Sequence, residues 1–189
     1  MPERNIDHGK FGARGIKGAE AAARQLDRLA GGISTPVEQK RGLNARLNYL
    51  LRSERSRKAA QEAGMPSERT VKAWREGKRK PSKASLRKVE QAYQTVRRQN
   101  VARSMKARLN RAGRGTRVEL HPQNQSQVDR RYQRHTPYRT LNVRDWDGLV
   151  DAWAGHDSGR MDQEWETIIG DLGSDWGQYE YVSNVGFAA

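Results

Sequence analysis

The 189 residues carry 36 Lys and Arg against 22 Asp and Glu, which gives a net charge of +14 at pH 7. Only 34% of the residues are hydrophobic and the mean hydropathy is −1.03, so we expect two small modules joined by exposed segments. No run of about 20 apolar residues exists, which argues against a membrane span. The absence of cysteine excludes disulfides and thiolate metal sites.

The region 1–40 reads as a basic arm followed by a short helix. Residues 1–17 are rich in glycine and charge and have no periodicity, which predicts a mobile arm able to lie along phosphates. Residues 18–30 place Ala22, Ala23, Leu26 and Leu29 at helical spacing. The first 30 residues lack the apolar segment of a secretory signal, so we expect a cytoplasmic protein located at the nucleoid.

A DNA-binding domain is predicted over residues 41–114. Its first helix is defined by a stripe of leucines, Leu43, Leu47, Leu50 and Leu51. The segment 58–81, KAAQEAGMPSERTVKAWREGKRKP, then reads as a helix-turn-helix. Ala59, Ala60 and Ala63 permit close helix crossing, Gly64 ends the first helix, and Ser67 caps the second, which docks through Thr70, Val71 and Trp74.

The outer face of the second helix is charged, as in helices that enter the major groove of DNA. An ordinary helical hairpin with a solvated face would give the same pattern. Because a polyanion is the natural partner of so basic a chain, we favour DNA over a membrane surface. The predicted DNA-binding residues are Ser67, Glu68, Arg69, Thr70, Lys72, Arg75, Lys78, Arg79, Lys80, Arg97 and Arg98.

Charge divides the chain into two electrically opposite parts. Residues 41–114 hold 22 Lys and Arg against five Asp and Glu, whereas residues 141–189 hold two against ten. A helix beginning near Ser82 carries Leu86, Val89, Tyr93 and Val96, and it becomes basic from Arg97. Its basic end either projects along DNA or frays in solvent.

The predicted fold class is mainly α with a small α+β module at the C-terminus. Residues 115–138 are expected to form a short strand, 116–120, and a flexible linker, 122–137. Residues 139–189 are expected to form an acidic strand-helix-helix module, with its strand at 140–143 and a weak last strand at 179–185. Its order matches either a ribbon-helix-helix dimer or a self-contained α+β unit, and we expect it to mediate self-association.

Other kinds of site find little support in the sequence. The four histidines, at positions 8, 121, 135 and 156, are dispersed, and Asp145 and Asp147 are explained by the start of an acidic helix as readily as by the Mg²⁺ site of a nuclease. The glycines of GARGIKG lack phosphate-loop spacing. We therefore predict no metal, no cofactor and no catalytic residue.

In its order of parts the chain resembles the telomere terminal proteins of linear actinobacterial replicons. The likeness covers residues 18–182 and is carried by the leucine helix, GMPSERTVKAWREGKRKP, the basic helix, GTRVEL and the strand-helix-helix tail. The resemblance implies a protein that binds telomeric DNA and offers a side-chain hydroxyl to prime end patching by a DNA polymerase. It also implies a telomere-associated protein and a polymerase as partners.

One position departs from the family. The accepting threonine of the family aligns with Gln133, which has no hydroxyl. The hydroxyl would then come from Thr136, or from Tyr132, Tyr138 or Ser126. The alternative is a helix-turn-helix repressor of a plasmid, phage or integrative element, since the motif of Arg-Thr-Val, an aromatic residue, Gly and Lys-Pro is shared with many unrelated repressors.

Overall fold

The computed structural model describes residues 8–170, 172 and 178–188, which divide into two compact units. One unit comprises residues 31–101, and the other combines residues 8–30 with the described part of 102–188. In chain order the elements are β1 (Ile16–Lys17), α1 (Gly18–Ala30), α2 (Lys40–Leu51), α3 (Glu54–Glu62), α4 (Glu68–Arg75), α5 (Lys83–Asn110), β2 (Thr116–Pro122), β3 (Arg139–Val143), α6 (Asp147–Ala154), α7 (Ser158–Gly170) and β4 (Tyr181–Ala188). Within the described residues, no helix is both long enough and apolar enough to cross a bilayer.

The unit 31–101 is entirely helical and is built around the predicted leucine helix. Leu47 and Leu50 on α2 are fully buried, and they share one apolar core with side chains from every other helix of the unit. These side chains are Ala60 of α3, Val71 and Trp74 of α4, and Val89, Ala92, Tyr93 and Val96 of α5. The apolar periodicity predicted for 43–51 and 86–96 is therefore confirmed.

A buried arginine fixes the segment that leads into α2. Arg46 is only 5% exposed, and its guanidinium donates to the carbonyl oxygens of Thr35 (2.7 Å), Gly42 (3.1 Å) and Ile33 (3.2 Å). It also forms an ion pair with Glu90 of α5. Because burying a charge is costly unless it is paired, these contacts stabilise the packing of residues 33–35 against α2.

The second unit holds a four-stranded antiparallel sheet in the order β1-β4-β2-β3. β2 lies at its centre, with Val118 paired to Phe187 of β4 and to Leu141 of β3. Helices α1, α6 and α7 belong to the same unit and supply most of its buried side chains. The strands predicted at 116–120 and 140–143 are confirmed, and the weakly predicted last strand begins at Tyr181.

Three tryptophans dominate the core of this unit, and each indole N–H is satisfied. Trp146 donates to the Val143 carbonyl (2.9 Å), Trp153 to the Asp27 carboxylate (3.0 Å) and Trp165 to the Tyr179 carbonyl (3.1 Å). All three rings are at most 2% exposed. They are therefore core residues of the fold, and their burial joins α1 to the C-terminal elements.

The N-terminal region does not behave as a separate arm and helix. Residues 16–17 pair with β4, Gly18 donates its N–H to the Glu180 carbonyl (2.7 Å), and the Gln25 amide donates to the Val185 carbonyl. The prediction of a free arm up to residue 17 is thus wrong for the described residues 8–17, which are held by contacts with residues more than 100 positions away, from the stacking of His8 on Tyr181 to the pairing of Arg14 with Asn124. Residues 1–7 lie outside the described residues.

Two other predictions are corrected by the sheet. The segment 115–138, expected as a strand and a flexible linker, continues β2 to Pro122 and then forms a hydrogen-bonded loop with a short 3₁₀ turn at Arg130–Tyr132. The ribbon-helix-helix arrangement is wrong because β3 pairs with β2 of the same chain, whereas a ribbon-helix-helix strand pairs with a second copy. The self-contained α+β alternative is the arrangement observed, with α1 and β1 added to it.

Replacing Arg46 by Ala should lower the free energy of unfolding by about 3 kcal/mol, because it removes the cationic partner of Glu90 and the side-chain donor to the Thr35 and Ile33 carbonyl oxygens. Urea denaturation followed by circular dichroism measures the loss. Arg41→Ala, on the exposed face of the same helix, is the matched control and should change stability by less than about 0.5 kcal/mol. Equal effects of the two substitutions would contradict the role given to Arg46.

Candidate nucleic-acid interface

The connection between α3 and α4 is a tight glycine turn. Gly64 has φ +82°, its N–H donates to the Gln61 carbonyl (2.9 Å), and the next N–H, of Met65, reaches back to the Ala60 carbonyl (2.9 Å). This pair of bonds is the Schellman pattern that closes a helix at a left-handed residue. Met65 is buried in the helical core, so the turn is fixed on both sides.

Ser67 begins α4 as a capping residue. Its hydroxyl oxygen accepts the N–H of Thr70 at 3.4 Å and lies 3.0 Å from the Thr70 hydroxyl. Both interactions belong to the start of the helix. Ser67 and Thr70, predicted as DNA-binding residues, are therefore first of all the cap of α4, with Ser67 exposed and Thr70 half-buried.

The end of α4 repeats the Schellman pattern of the turn before it. Gly77 has φ +72° and donates to the Trp74 carbonyl (3.1 Å), while the Lys78 N–H donates to the Ala73 carbonyl (2.9 Å). The chain therefore leaves the helix abruptly. Lys78, Arg79 and Lys80 follow as three consecutive exposed cations.

Burial of one face of α4 presents the other face to solvent. Val71 and Trp74 are 2% and 8% exposed, whereas Glu68, Arg69, Lys72 and Arg75 are all exposed. The structure thus brings the predicted charged residues of this helix onto one surface, as the spacing predicted.

These charged side chains differ in whether they already have partners. Lys72 and Lys78 approach the Glu76 carboxylate at 3.9 and 2.7 Å, and the Arg75 guanidinium donates to the Asn48 amide oxygen at 2.7 Å. Such exposed pairs contribute little to stability, so these cations are available to bind other anions. The side chains of Arg69, Arg79 and Lys80 make no hydrogen bond or ion pair among the described residues.

A groove of about 390 Å³ lies between the α3–α4 turn, α4 and the start of α5. Ser82 caps α5 by accepting the Ser85 N–H at 3.1 Å, so the capped N-termini of two helices face this groove. Its cationic lining consists of Arg79, Lys80 and Lys88. Lys88 was missed by the sequence prediction because it lies on the next helix, and only the fold brings it beside the basic segment.

The remaining predicted DNA-binding residues, Arg97 and Arg98, lie on α5. The Arg97 side chain donates to the Gly31 carbonyl at 3.3 Å and lies 5.9 Å from the centre of the Tyr49 ring. Both residues are half-buried. The basic continuation of α5 does not fray but remains helical to Asn110. In its last turns Lys106 forms an ion pair with Asp151 at 2.7 Å.

The candidate nucleotide-accepting hydroxyls lie on the loop after β2. Thr136 is half-buried and its hydroxyl oxygen accepts from the Gln125 amide at 3.1 Å, whereas Ser126 is exposed. Tyr132 and Tyr138 are 59% and 46% exposed. The Gln133 amide donates to the Val128 carbonyl at 2.8 Å, so this glutamine braces the loop.

A search of the described residues for metal-binding clusters and the comparisons with known proteins both gave negative results. Among residues 8–170, 172 and 178–188, no three His, Asp or Glu side chains come together as a metal site would require. Comparison with protein-family models, curated proteins and solved structures found no match to this chain.

Replacing Gly64 by Ala should cost about 1 kcal/mol through backbone conformation alone, because nothing lies within 4 Å of the added methyl group while φ is positive. The matched control is Gly170→Ala at the end of α7. There the space is equally open but the backbone is helical, so stability should be unchanged or raised. Thermal unfolding compares the two variants, and equal behaviour would exclude the left-handed turn.

Proposed function

We propose that the unit 31–101 binds double-stranded DNA, with α4 in the major groove. The proposal is carried by one observation, the opposition of a buried apolar face and an exposed charged face on a helix held between two tight glycine turns. The whole unit carries 18 Lys and Arg against six Asp and Glu, so its field attracts phosphate. An eight-residue helix is about 12 Å long, comparable to the width of the groove.

Within this proposal the side chains have different tasks. Arg69, exposed and unpaired among the described residues, is suited to pair with a guanine edge, and Lys72 lies one turn further along the helix. Lys78, Arg79 and Lys80 leave the helix as a cluster of cations and are assigned to phosphates. Glu68 lies in the first turn of α4 and would accept from a cytosine amino group.

We further propose that DNA binding serves the terminal-protein role that the resemblance implies, in which a side-chain hydroxyl primes synthesis. The hydroxyl oxygen would attack the α-phosphorus of a nucleoside triphosphate at a partner polymerase, forming a phosphoester and releasing pyrophosphate, with the hydroxyl proton passing to the polymerase site. Arg130, Arg131 and Arg134 belong to the same loop as the candidate hydroxyls and would offset the triphosphate charge. The exposure of Tyr132 favours it over the hydrogen-bonded Thr136 for reaching such a site.

The alternative is a transcriptional repressor, which needs the same duplex contacts and no accepting hydroxyl. It would leave the hydroxyl-bearing loop without a role in the function. Both proposals are compatible with self-association through β3, which lies at an edge of the sheet. A two-fold symmetric operator and a capped DNA end could each bind a dimer.

Substitutions in the interface should separate sequence reading from phosphate binding. Arg69→Ala should remove preference for the selected duplex over a scrambled one, and Arg69→Lys should keep general affinity while losing that preference, because lysine cannot form the bidentate pair. Replacing Lys78, Arg79 and Lys80 together should weaken all duplexes alike and lower the salt slope by about one per lost contact. Dissociation constants measured against salt concentration test both statements.

The matched control is Arg160→Ala, which removes an exposed arginine from the acidic helix α7. It should leave both duplex affinities unchanged. Binding that is independent of salt, or equally weakened by Arg160→Ala, would contradict the assignment to the unit 31–101.

The priming role predicts covalent labelling of one hydroxyl residue on the loop after β2. The full chain is incubated with a labelled nucleotide, a telomeric template and host extract, and the labelled peptide is mapped. Label on Tyr132, Thr136, Tyr138 or Ser126 supports the terminal-protein role, and substituting that residue should abolish it. Intact duplex binding with no label on any hydroxyl would leave the repressor.

A further inference from the structure

Two large aromatic rings are exposed and stacked on each other in the unit that contains the sheet. Phe11 is 58% and Tyr132 is 59% exposed, yet their ring centres lie 5.9 Å apart with an angle of 28° between the planes. They come from segments about 120 residues apart in sequence. Single exposed aromatic residues are common, but a pair assembled from distant segments and left open to solvent is typical of a recognition surface.

The segments that carry these rings are held together by backbone pairing. Arg14 and Asn124 exchange two backbone hydrogen bonds of 2.8 Å. Gly12 passes so close to Gln127 that a Cβ would lie 2.8 Å from its carbonyl oxygen. The position of Phe11 is therefore fixed by backbone contacts of the neighbouring residues and not by its own ring.

The Tyr132 end is braced by glutamines. The Gln125 amide donates to the Arg134 carbonyl (2.8 Å) and accepts the Arg134 N–H (2.8 Å), and the Gln133 amide donates to the Val128 carbonyl (2.8 Å). The Tyr132 N–H donates to the Asp129 carbonyl at 2.8 Å. The loop thus holds the tyrosine ring outward without burying it.

One cation lies against each ring of the stacked pair, and the two segments that carry the rings are basic. Arg131 lies 5.2 Å from the centre of the Tyr132 ring, and Lys10 lies 5.7 Å from that of Phe11. Residues 8–14 and 121–139 together hold six Lys and Arg against one acidic residue, Asp129, which already pairs with Arg131 at 3.0 Å. The guanidinium groups of Arg14, Arg130 and Arg134 make no hydrogen bond or ion pair among the described residues.

We propose that the Phe11–Tyr132 pair and its arginines bind single-stranded nucleic acid, with an unpaired base stacked on the open rings. Aromatic faces attract any base, whereas the bases of a duplex are already stacked and offer no free face. The arginines match the phosphates on either side. This site is distinct from the duplex interface on α4 and does not depend on it.

The test compares single- and double-stranded probes on the full chain. Fluorescence anisotropy measures binding of labelled oligothymidylate and of a duplex of equal length, for the wild type and for the double variant Phe11→Ala/Tyr132→Ala. The double variant should bind oligothymidylate at least about tenfold more weakly, given the usual contribution of base stacking, and bind the duplex unchanged. Photocrosslinking of the wild type to bromodeoxyuridine oligonucleotides should place adducts on Phe11 or Tyr132.

Two control variants make the result specific. Tyr132→Phe keeps the ring but removes its hydroxyl, so it should bind oligothymidylate like the wild type even if it loses priming. Arg69→Ala should alter duplex recognition and leave unchanged the loss of oligothymidylate affinity caused by Phe11→Ala/Tyr132→Ala. The two proposed sites can therefore be tested separately. The proposal is overturned if the double variant binds oligothymidylate normally, if adducts map elsewhere, or if the double variant changes only self-association in sedimentation.

Discussion

The orientation of α4 depends on the burial of two side chains, Val71 and Trp74. They are the helix's main apolar contribution to a core that also contains the leucines of α2. Because their spacing of three residues defines one face, the charged residues between and around them must face solvent. The surface proposed to bind DNA is therefore a consequence of hydrophobic docking, and a change in that docking would turn Arg69 away from its position.

The polar contacts of the helical unit serve the same geometry. Arg46 brings its charge into the interior but satisfies it with three carbonyl oxygens and Glu90, which joins the segment before α2 to α5. In a unit with so large an excess of positive charge, this one arginine stabilises the fold, while the exposed cations add repulsion that a polyanion would relieve. Fold stability and the proposed binding thus depend on the same residue type in different environments.

Local signals made the helical unit predictable. Ser67, Gly64 and Gly77 mark helix ends through cap hydrogen bonds and positive φ values that depend only on neighbouring residues. The same logic failed after β2, since the loop is braced by Gln125 and Gln133, whose amide contacts leave no periodicity in the sequence. Duplex binding was a prediction from pattern and charge, and it stays a prediction.

Long-range pairing explains the other differences. The apolar face of α1 indicated a helix but gave no sign that its partners are β4 and the tryptophans of the C-terminal elements. The exposed stack of Phe11 on Tyr132 was likewise hidden, because residue 11 was expected in a free arm and residue 132 in a linker. Contacts between such distant segments arise from the whole sheet and not from any local pattern.

The central claim is that α4 reads the major groove of a duplex, and methylation interference tests it most directly. Duplexes selected by the full chain from a random library would be partially methylated at guanine N7, in the major groove, and at adenine N3, in the minor groove. If α4 lies in the major groove, we expect guanine N7 methylation at one or two positions to block binding, because Arg69 would pair with guanine there. Blocking by adenine N3 methylation alone would place the contact in the minor groove and contradict the proposed position of α4.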